Sequence, residues 1–453
     1  MTDAARMAAV TQDPVTPRAT PVPTSRTVRL LHMGGITAGI AGGVIAGGVG
    51  QLARGKRPAL PDLVLTPSNA ARLTNGLSHM RGAALKLGQM LSMDAGAVLP
   101  PQLTDILATL RDDAQHMPPK QLQSVLNAEW GAGWRARFRS FDVRPFAAAS
   151  IGQVHRARTQ DGRDIAIKVQ YPGIQASIDS DVDNIAALLR VLGLVPKGMD
   201  IAPLLDSAKH QLHAEADYTA EAAHLRQFGQ WMAQSEGFVV PHLHPDFSTP
   251  RTLAMDYIQS DPVDALTSAP QHIRDTAAAN LVDLVLRELF VFGAVQTDPN
   301  FANYRIEART GRIVLLDFGA VQPVSPALAA DFRALLNAAL DGGQEGGQDR
   351  TRLAMLKIGY FGAATAPRHQ DLIQRMFETA MDPLRKDAPF DFGTSDLLER
   401  LRDMGLALGT DRDLMHVPPA RTLFLHRKIG GMYLLAARLR ARVNLRALAE
   451  PYR

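Results

Sequence analysis

Asp298 and Asn303 stand five residues apart in a turn-rich segment, and Asp317-Phe318-Gly319 closes the apolar run Ile313-Val314-Leu315-Leu316 nineteen residues after Asp298. Upstream, Ile165-Ala166-Ile167-Lys168 is an apolar strand pattern ending in a lysine, and Glu221 falls on a later helical stretch. Phosphoryl transfer needs these residue types. A triphosphate is polyanionic, so a lysine must hold its α- and β-phosphates and a glutamate must hold that lysine in place. Magnesium takes oxygen ligands and accepts only a few from protein. Asn303 and Asp317 can supply them, while Asp298 can accept a proton from, or orient, an incoming hydroxyl or water. Alone, a strand-end lysine is commonly a surface lysine and an Asp-Phe-Gly tripeptide commonly a turn. Order and spacing together point to a site for ATP or ADP with Mg2+.

Those residues need a scaffold of strands followed by helices. Short strand patterns occur at Phe138–Phe141, 152–156 and 165–169, the last two joined by the turn Asp161-Gly162. Helical patterns follow at 178–194 and 201–231, a further strand at 253–257, and nearly continuous helix from about 273 onward, interrupted by a hairpin-like region at 295–320. Strands first and helices afterwards indicate an α+β, two-lobed protein-kinase-like fold with an N-terminal helical extension and a helical insert in the small lobe. The expected division is a disordered tail over 1–29, rich in Pro, Thr and Ala, and a glycine-rich apolar segment over 30–57. A helical extension over 58–135, a small lobe with its insert over 136–258 and a large lobe over 259–453 complete it.

Resemblance sharpens this reading. The stretches Lys86-Leu87-Gly88-Gln89, Ala147-Ala148-Ala149-Ser150-Ile151-Gly152-Gln153-Val154-His155 and Lys168-Val169-Gln170-Tyr171-Pro172-Gly173 resemble signatures of the UbiB family of aarF-domain atypical kinase-like proteins. So do Glu215-Ala216-Asp217-Tyr218, Asp298-Pro299-Asn300 and Leu316-Asp317-Phe318-Gly319. The segment Gln296-Thr297-Asp298-Pro299-Asn300-Phe301-Ala302-Asn303 and the ending Leu425-His426-Arg427-Lys428-Ile429-Gly430-Gly431 are similar to the subgroup of mitochondrial coenzyme Q kinase-like ATPases. The resemblance runs from about residue 30 to the C-terminus. It implies an ATPase or small-molecule kinase supporting ubiquinone or related quinone-lipid synthesis. It also implies a helix bearing Lys86 and Gln89 that packs over the active site against Glu215 and Asp217 in a regulatory role. Implied partners are membrane lipids, quinone-lipid precursors and other quinone-biosynthesis enzymes, with a homodimer allowed. The implied location is the cytoplasmic face of a membrane, or the mitochondrial inner membrane in a eukaryote. The rivals are a kinase acting on a soluble substrate and a nucleotide-bound scaffold.

The chain departs from a protein kinase in instructive places. The loop over the phosphates is expected at Ala147, Ala148, Ala149 and Ser150, where glycines would let backbone amides approach the nucleotide. Asp256 and Tyr257 are the expected hinge, offering backbone hydrogen bonds to adenine. Gln296-Thr297 occupies the slot before the catalytic aspartate that normally holds His-Arg, so a phosphorylated activation loop has no local arginine to order it. After Gly319 the chain meets Pro323 and enters a helical pattern within a few residues, which leaves no platform for a peptide substrate and argues against protein phosphorylation.

Composition excludes other classes. There is no cysteine, hence no disulfide or thiolate metal site, and a net charge of +4 with no run of five basic residues argues against nucleic acid. Residues 32–53 carry no formal charge, and Gly35, Gly39, Gly43 and Gly47 recur at spacing four. Two readings stay open there: a helix in or on a membrane, or one packed on the protein's own surface. Residues 432–446 read as a basic amphipathic helix, either touching anionic lipid or docking on the large lobe. His242 and His244 have loop surroundings and no third ligand nearby.

Overall fold

The computed structural model describes residues 82–83, 116–191, 201–341, 346–409 and 418–453. The terminal tail, the glycine-rich stretch, Lys86 and Gln89 lie outside them. The chain divides into two compact units, Met1–Arg163 with Ile167–Leu212, and Asp164–Ala166 with His213–Arg453. The helix carrying Glu221 and the strand ending at Asp256 therefore group with the second unit. The fold is α+β.

In the first unit, helix α1 (Pro119–Trp130) starts with proline at its first turn and stops at Gly131, whose φ of 82° is a conformation other residues resist. Strand β1 (Phe138–Phe141) pairs antiparallel with β3 (Gly152–Thr159), and the short β2 (Ala147–Ala148) also pairs with β3. Gly162, at φ 93°, turns the chain from β3 into β4 (Asp164–Gln170). Trp134 packs edge-to-face on Trp130, Phe138 and Phe141 at centroid separations from 4.9 to 6.0 Å, and Trp130 lies tilted on Phe138 at 5.6 Å, a core of aromatic pairs. Helix α2 (Ile174–Val191) presents Asp183 to Lys209 of α3 (Ala202–Glu215) at 2.6 Å.

The single helix expected over 201–231 is two. Asp217 interrupts it, accepting from the N–H groups of Thr219 and Ala220 to cap α4 (Tyr218–Trp231). In the second unit, β5 (Phe238–Val239) lies parallel to β10 (Ile313–Leu315), β10 antiparallel to β9 (Tyr304–Glu307), and β9 antiparallel to β7 (Ser260–Pro262). The strand β6 (Thr252–Asp256) is buried at its first four positions. Helix α5 (Gln271–Arg287) runs into a π-helical turn, Glu288–Phe292, ended by Gly293 at φ 65°. Strand β8 (Ala294–Gln296) pairs antiparallel with β11 (Val321–Pro323), and α6 (Pro326–Leu340) begins at once, capped by Ser325.

The helical remainder comprises α7 (Gly347–Ile358), α8 (Pro367–Arg385), α9 (Leu397–Gly409) and α10 (Ala420–Arg438). The two-stranded pair β12 (Phe390–Asp391) and β13 (Arg442–Val443) and the short α11 (Leu445–Ala449) close the chain. The basic helix expected over 432–446 is thus corrected: α10 ends at Arg438, and Arg440 takes φ 48° before β13. Its arginines meet carboxylates of the same unit, Arg438 with Asp264 at 2.7 Å and Arg442 with Asp391 at 3.0 Å. Among the described residues no helix is long and apolar enough to cross a membrane.

Candidate functional site

The first unit carries Lys168 and the alanine loop. In β4, Ile165, Ile167 and Val169 are fully buried while Lys168 is half-buried, so strand alternation turns the lysine to the face opposite its apolar neighbours. Ala147 and Ala148 are exposed and ladder with Val154 and Gln153, and Ala149 N–H donates to the Gly152 carbonyl at 2.9 Å. The loop is a tight hairpin of extended backbone; none of its alanines has positive φ. Gly82, which is helical, lies directly on it: a Cβ there would stand 2.6 Å from the Ser150 carbonyl oxygen. Behind the hairpin runs a buried polar chain. Met117 N–H donates to Gln153 Oε1 at 2.9 Å, Gln153 Nε2 meets His155 Nε2 at 2.8 Å, and His155 Nδ1 meets the Asp142 carbonyl at 2.8 Å. This assigns a neutral imidazole with its proton on Nδ1. Burial lowers the His155 pKa to about 4, against the weaker upward pull of the Asp142 hydrogen bond.

In the second unit, Asp298, Asn303 and Asp317 come together. Asn303 Nδ2 donates to Asp298 Oδ2 at 3.3 Å and to the Asp298 carbonyl at 3.4 Å, so its amide oxygen is the end left for a cation. The Leu316 N–H donates to the Asn303 carbonyl at 3.2 Å, which ties the strand before Asp317 to the same segment. Asp317 Oδ1 accepts from Gly319 N–H at 3.0 Å. Asn303 and Asp317 line one cavity together with Gln296, Tyr304 and Lys428. One carboxylate and one amide oxygen are the sparse donor set that magnesium accepts when phosphate oxygens and water complete its shell. Among the described residues no three His, Asp or Glu side chains form a metal-holding group.

Helix α4 is fastened to the Asp-Phe-Gly turn. Glu221 is buried one turn beyond the Asp217 cap, His224 Nδ1 meets the Phe318 carbonyl at 3.1 Å, and Phe228 packs on Phe318 at 4.8 Å. Glu215 sits beside Gly319, its Cα 3.4 Å from where a glycine Cβ would be. Of the two acidic residues expected to be regulatory, Asp217 thus caps the helix that carries Glu221, and Glu215 packs on the Asp-Phe-Gly turn. The expected hinge residues hold the chain together through their N–H groups. Asp256 N–H donates to the His242 carbonyl and Tyr257 N–H to the Asp164 carbonyl, both at 3.0 Å, so neither N–H is available to adenine in this conformation. The Asp256 carboxylate is engaged by His244 Nε2 at 2.8 Å and by the His242 backbone N–H at 3.1 Å, which gives the His244 imidazole a structural role.

Sequence reasoning missed what holds the segment 296–304. Thr297, in the slot that normally holds arginine, binds the Ala320 carbonyl through both N–H, at 2.9 Å, and Oγ1, at 2.8 Å. It fastens the segment carrying Asp298 to the chain just after Gly319. Helix α10 supplies Lys428, fully buried, and Gly431, whose Cβ would overlap Pro299. The motif Leu425-His426-Arg427-Lys428-Ile429-Gly430-Gly431 was the available signal, but nothing in its spacing tells what it touches.

The sequence matches the ABC1 atypical kinase-like domain over residues 109–348. It is 37% identical over 426 residues to the mitochondrial atypical kinase COQ8 of Saccharomyces cerevisiae, covering 93% of this chain and 84% of the yeast protein. To the mitochondrial atypical kinase COQ8B of Rattus norvegicus it is 34% identical over 438 residues, covering 95% and 80%. Among solved structures, the complex of Rv3197 with erythromycin from Mycobacterium tuberculosis superposes with a TM-score of 0.56 at 26% identity, covering 85% of this chain and 95% of that one.

Proposed function

The chain belongs to the ABC1 atypical kinase-like family, enzymes of phosphoryl transfer, and from that premise we propose that it binds ATP or ADP with Mg2+ as a kinase-like ATPase supporting ubiquinone or related quinone-lipid synthesis at a membrane. One observation carries the catalytic part of the reading: the Asn303 amide bound to Asp298, with the Asp317 turn tied to the same segment. Bound magnesium supplies neutralisation of phosphate charge. Asn303 and Asp317 hold it, Lys168 keeps the phosphate-holding role its strand position suggests, and Glu221 that of the supporting carboxylate. The Asp298 carboxylate accepts the proton of, or orients, the incoming water or hydroxyl. Protein phosphorylation in trans is disfavoured by the chain itself. Only β11 and the Ser325 cap separate Gly319 from helix α6, leaving no extended segment on which a peptide could lie. The quinone-lipid assignment and a mitochondrial or cytoplasmic membrane location rest on the kinship with the COQ8 proteins.

The test is nucleotide binding and hydrolysis by the purified full chain, with and without liposomes and phenols resembling quinone precursors. Mg-nucleotide is expected to raise the melting temperature, since ligand at 100 times its Kd stabilises by about 2.7 kcal/mol. Hydrolysis is expected to rise with liposomes or phenol. Asp317→Asn keeps the oxygen that accepts from Gly319 and removes the charge, so it should fold normally and lose turnover. Unchanged melting at saturating Mg-nucleotide would overturn the reading, and labelled phosphate on a phenol would make the protein a small-molecule kinase.

A further inference from the structure

Helix α10 places a charged side chain where hydration is lost. Lys428 is 0% exposed and Glu288, at the start of the π-helical turn, 1%. The Lys428 ammonium has three kinds of acceptor around it. Nζ lies 2.9 Å from the Tyr304 hydroxyl, 3.2 Å from Gln296 Oε1, and 3.2 and 3.4 Å from the two Glu288 oxygens. Gln296 is the last residue of β8 and Tyr304 the first of β9. The chain between them carries Asp298 and Asn303. One ammonium therefore ties together both ends of the segment that holds the catalytic aspartate and the metal-binding asparagine.

We infer that Lys428 is a positioning residue: its buried ammonium, neutralised by Glu288, fixes the separation of Gln296 and Tyr304 and thereby the geometry of Asp298 and Asn303 between them. Stability alone is a poor reason for such a pair. Burying two charges costs several kcal/mol of desolvation per ion, and apolar residues of similar volume usually serve as well. What an apolar pair cannot supply is a tetrahedral donor with directed bonds to two separate strand ends. The π-helical turn agrees, since such bulges are frequent at functional sites. Burial pushes the Glu288 carboxyl up to about 7 against the pull of Lys428, and at Lys428 burial is outweighed by the attraction of Glu288 and Tyr304, which raises it. Gly431, one turn further along α10, lets the helix backbone come against Pro299, in the middle of the same segment. Helix α10 thus grips the segment at its two ends through Lys428 and at its centre through Gly431.

This inference rests on the Mg-nucleotide reading of the site, and its test separates the two. The double variant Lys428→Met/Glu288→Gln removes both charges, so no buried ion is left without a counter-ion. Backbone amide exchange is measured on the nucleotide-free full chain. Mn2+ binding in the presence of ADP, kcat and KM are measured beside it. The expected result is faster exchange confined to residues 297–304, weaker Mn2+ binding, a KM within about twofold of the parent, and a kcat lower by about tenfold to a hundredfold, as for a displacement of about 1 Å. Parent-like exchange over 297–304 together with parent-like kcat in the folded double variant would overturn the inference. Should that variant not fold, Tyr304→Phe removes one acceptor alone; unaltered exchange at 303–305 would then overturn it, and local acceleration there would support it. Asp317→Asn is the control: turnover retained in that variant sinks the Mg-nucleotide reading, while the exchange experiment still decides the role of Lys428.

Discussion

The alanine hairpin at 147–149 and the segment at 296–304 both belong to the expected nucleotide site, yet their described supports differ. The hairpin is exposed at Ala147 and Ala148 and joined to β3 by ladder hydrogen bonds, and among the described residues a helix at Gly82 lies on it. The other segment has a buried ammonium at its ends, two bonds from Thr297 to Ala320, and a helix backbone against Pro299. Elements with few buried contacts open at low free-energy cost. A loop over a nucleotide must open for exchange, whereas residues that hold a metal and orient an attacking group lose rate with small displacements. The contrast in support matches the contrast in the proposed tasks.

The comparison breaks most visibly at α10. Gly431→Ala should place a methyl group into Pro299, while Gly430→Ala, one residue away, has nothing within 4 Å. Overpacking costs about 1–3 kcal/mol or more, and the displacement it forces on Asp298 should lower turnover by about a hundredfold. The Gly430 variant should keep full turnover and gain up to about 1 kcal/mol from better helix propensity. Melting and hydrolysis measured on both check this; equal behaviour would mean that α10 does not grip the segment.

Next in size is Gly82→Ala. Its Cβ would meet the Ser150 carbonyl oxygen at 2.6 Å, a backbone atom, so helix or hairpin must shift. A cost of about 1–3 kcal/mol is expected, read as faster amide exchange over 147–152 and weaker nucleotide binding. Unaltered exchange would show that the helix does not restrain the hairpin.

Acid should act on both units. Burial lowers His155 to about 4 in the first unit and His426 to about 4 in the second. Between pH 6.5 and 4 the unfolded chain binds protons at these histidines that the folded chain does not, so stability is full above that window and falls as pH falls through it. Each contributes about 1.4 kcal/mol per pH unit. His155→Gln should flatten the decline of melting temperature with acid, and an unchanged slope would count against the buried neutral imidazole.

The smallest effect belongs to Ala148→Gly. The position is exposed strand without positive φ, so glycine costs about 0.5–1 kcal/mol in conformational freedom. If the alanines restrain the loop in other conformations, this variant should bind ATP more tightly relative to ADP and gain autophosphorylation. Nucleotide preference and melting measured on the same samples decide it.

Much of the site was legible in one dimension. The strand carrying Lys168 runs on to Gln170, two residues past the lysine, and the apolar strand before Asp317 forms at Ile313–Leu315, because alternation is a local property of a chain. The misreadings are also physical. Residues 201–231 keep helical periodicity across Ala216, and only the carboxylate of Asp217 turning back onto two N–H groups splits them. Residues 432–446 carry the charge pattern of a surface helix, but the backbone leaves the helix at Leu439 and β13 follows.

By itself the sequence determined the strand-then-helix order and the short connection after Gly319, and it suggested the phosphoryl-transfer constellation, since each follows from residue type and near spacing. The tertiary structure alone decided what holds that constellation. Lys428 reaches Gln296 across 132 positions and Tyr304 across 124. No periodicity reports such a bond, because a lysine that looks like one more basic residue of a helix becomes a strut only when folding strips its water and leaves two strand ends and a glutamate as its partners.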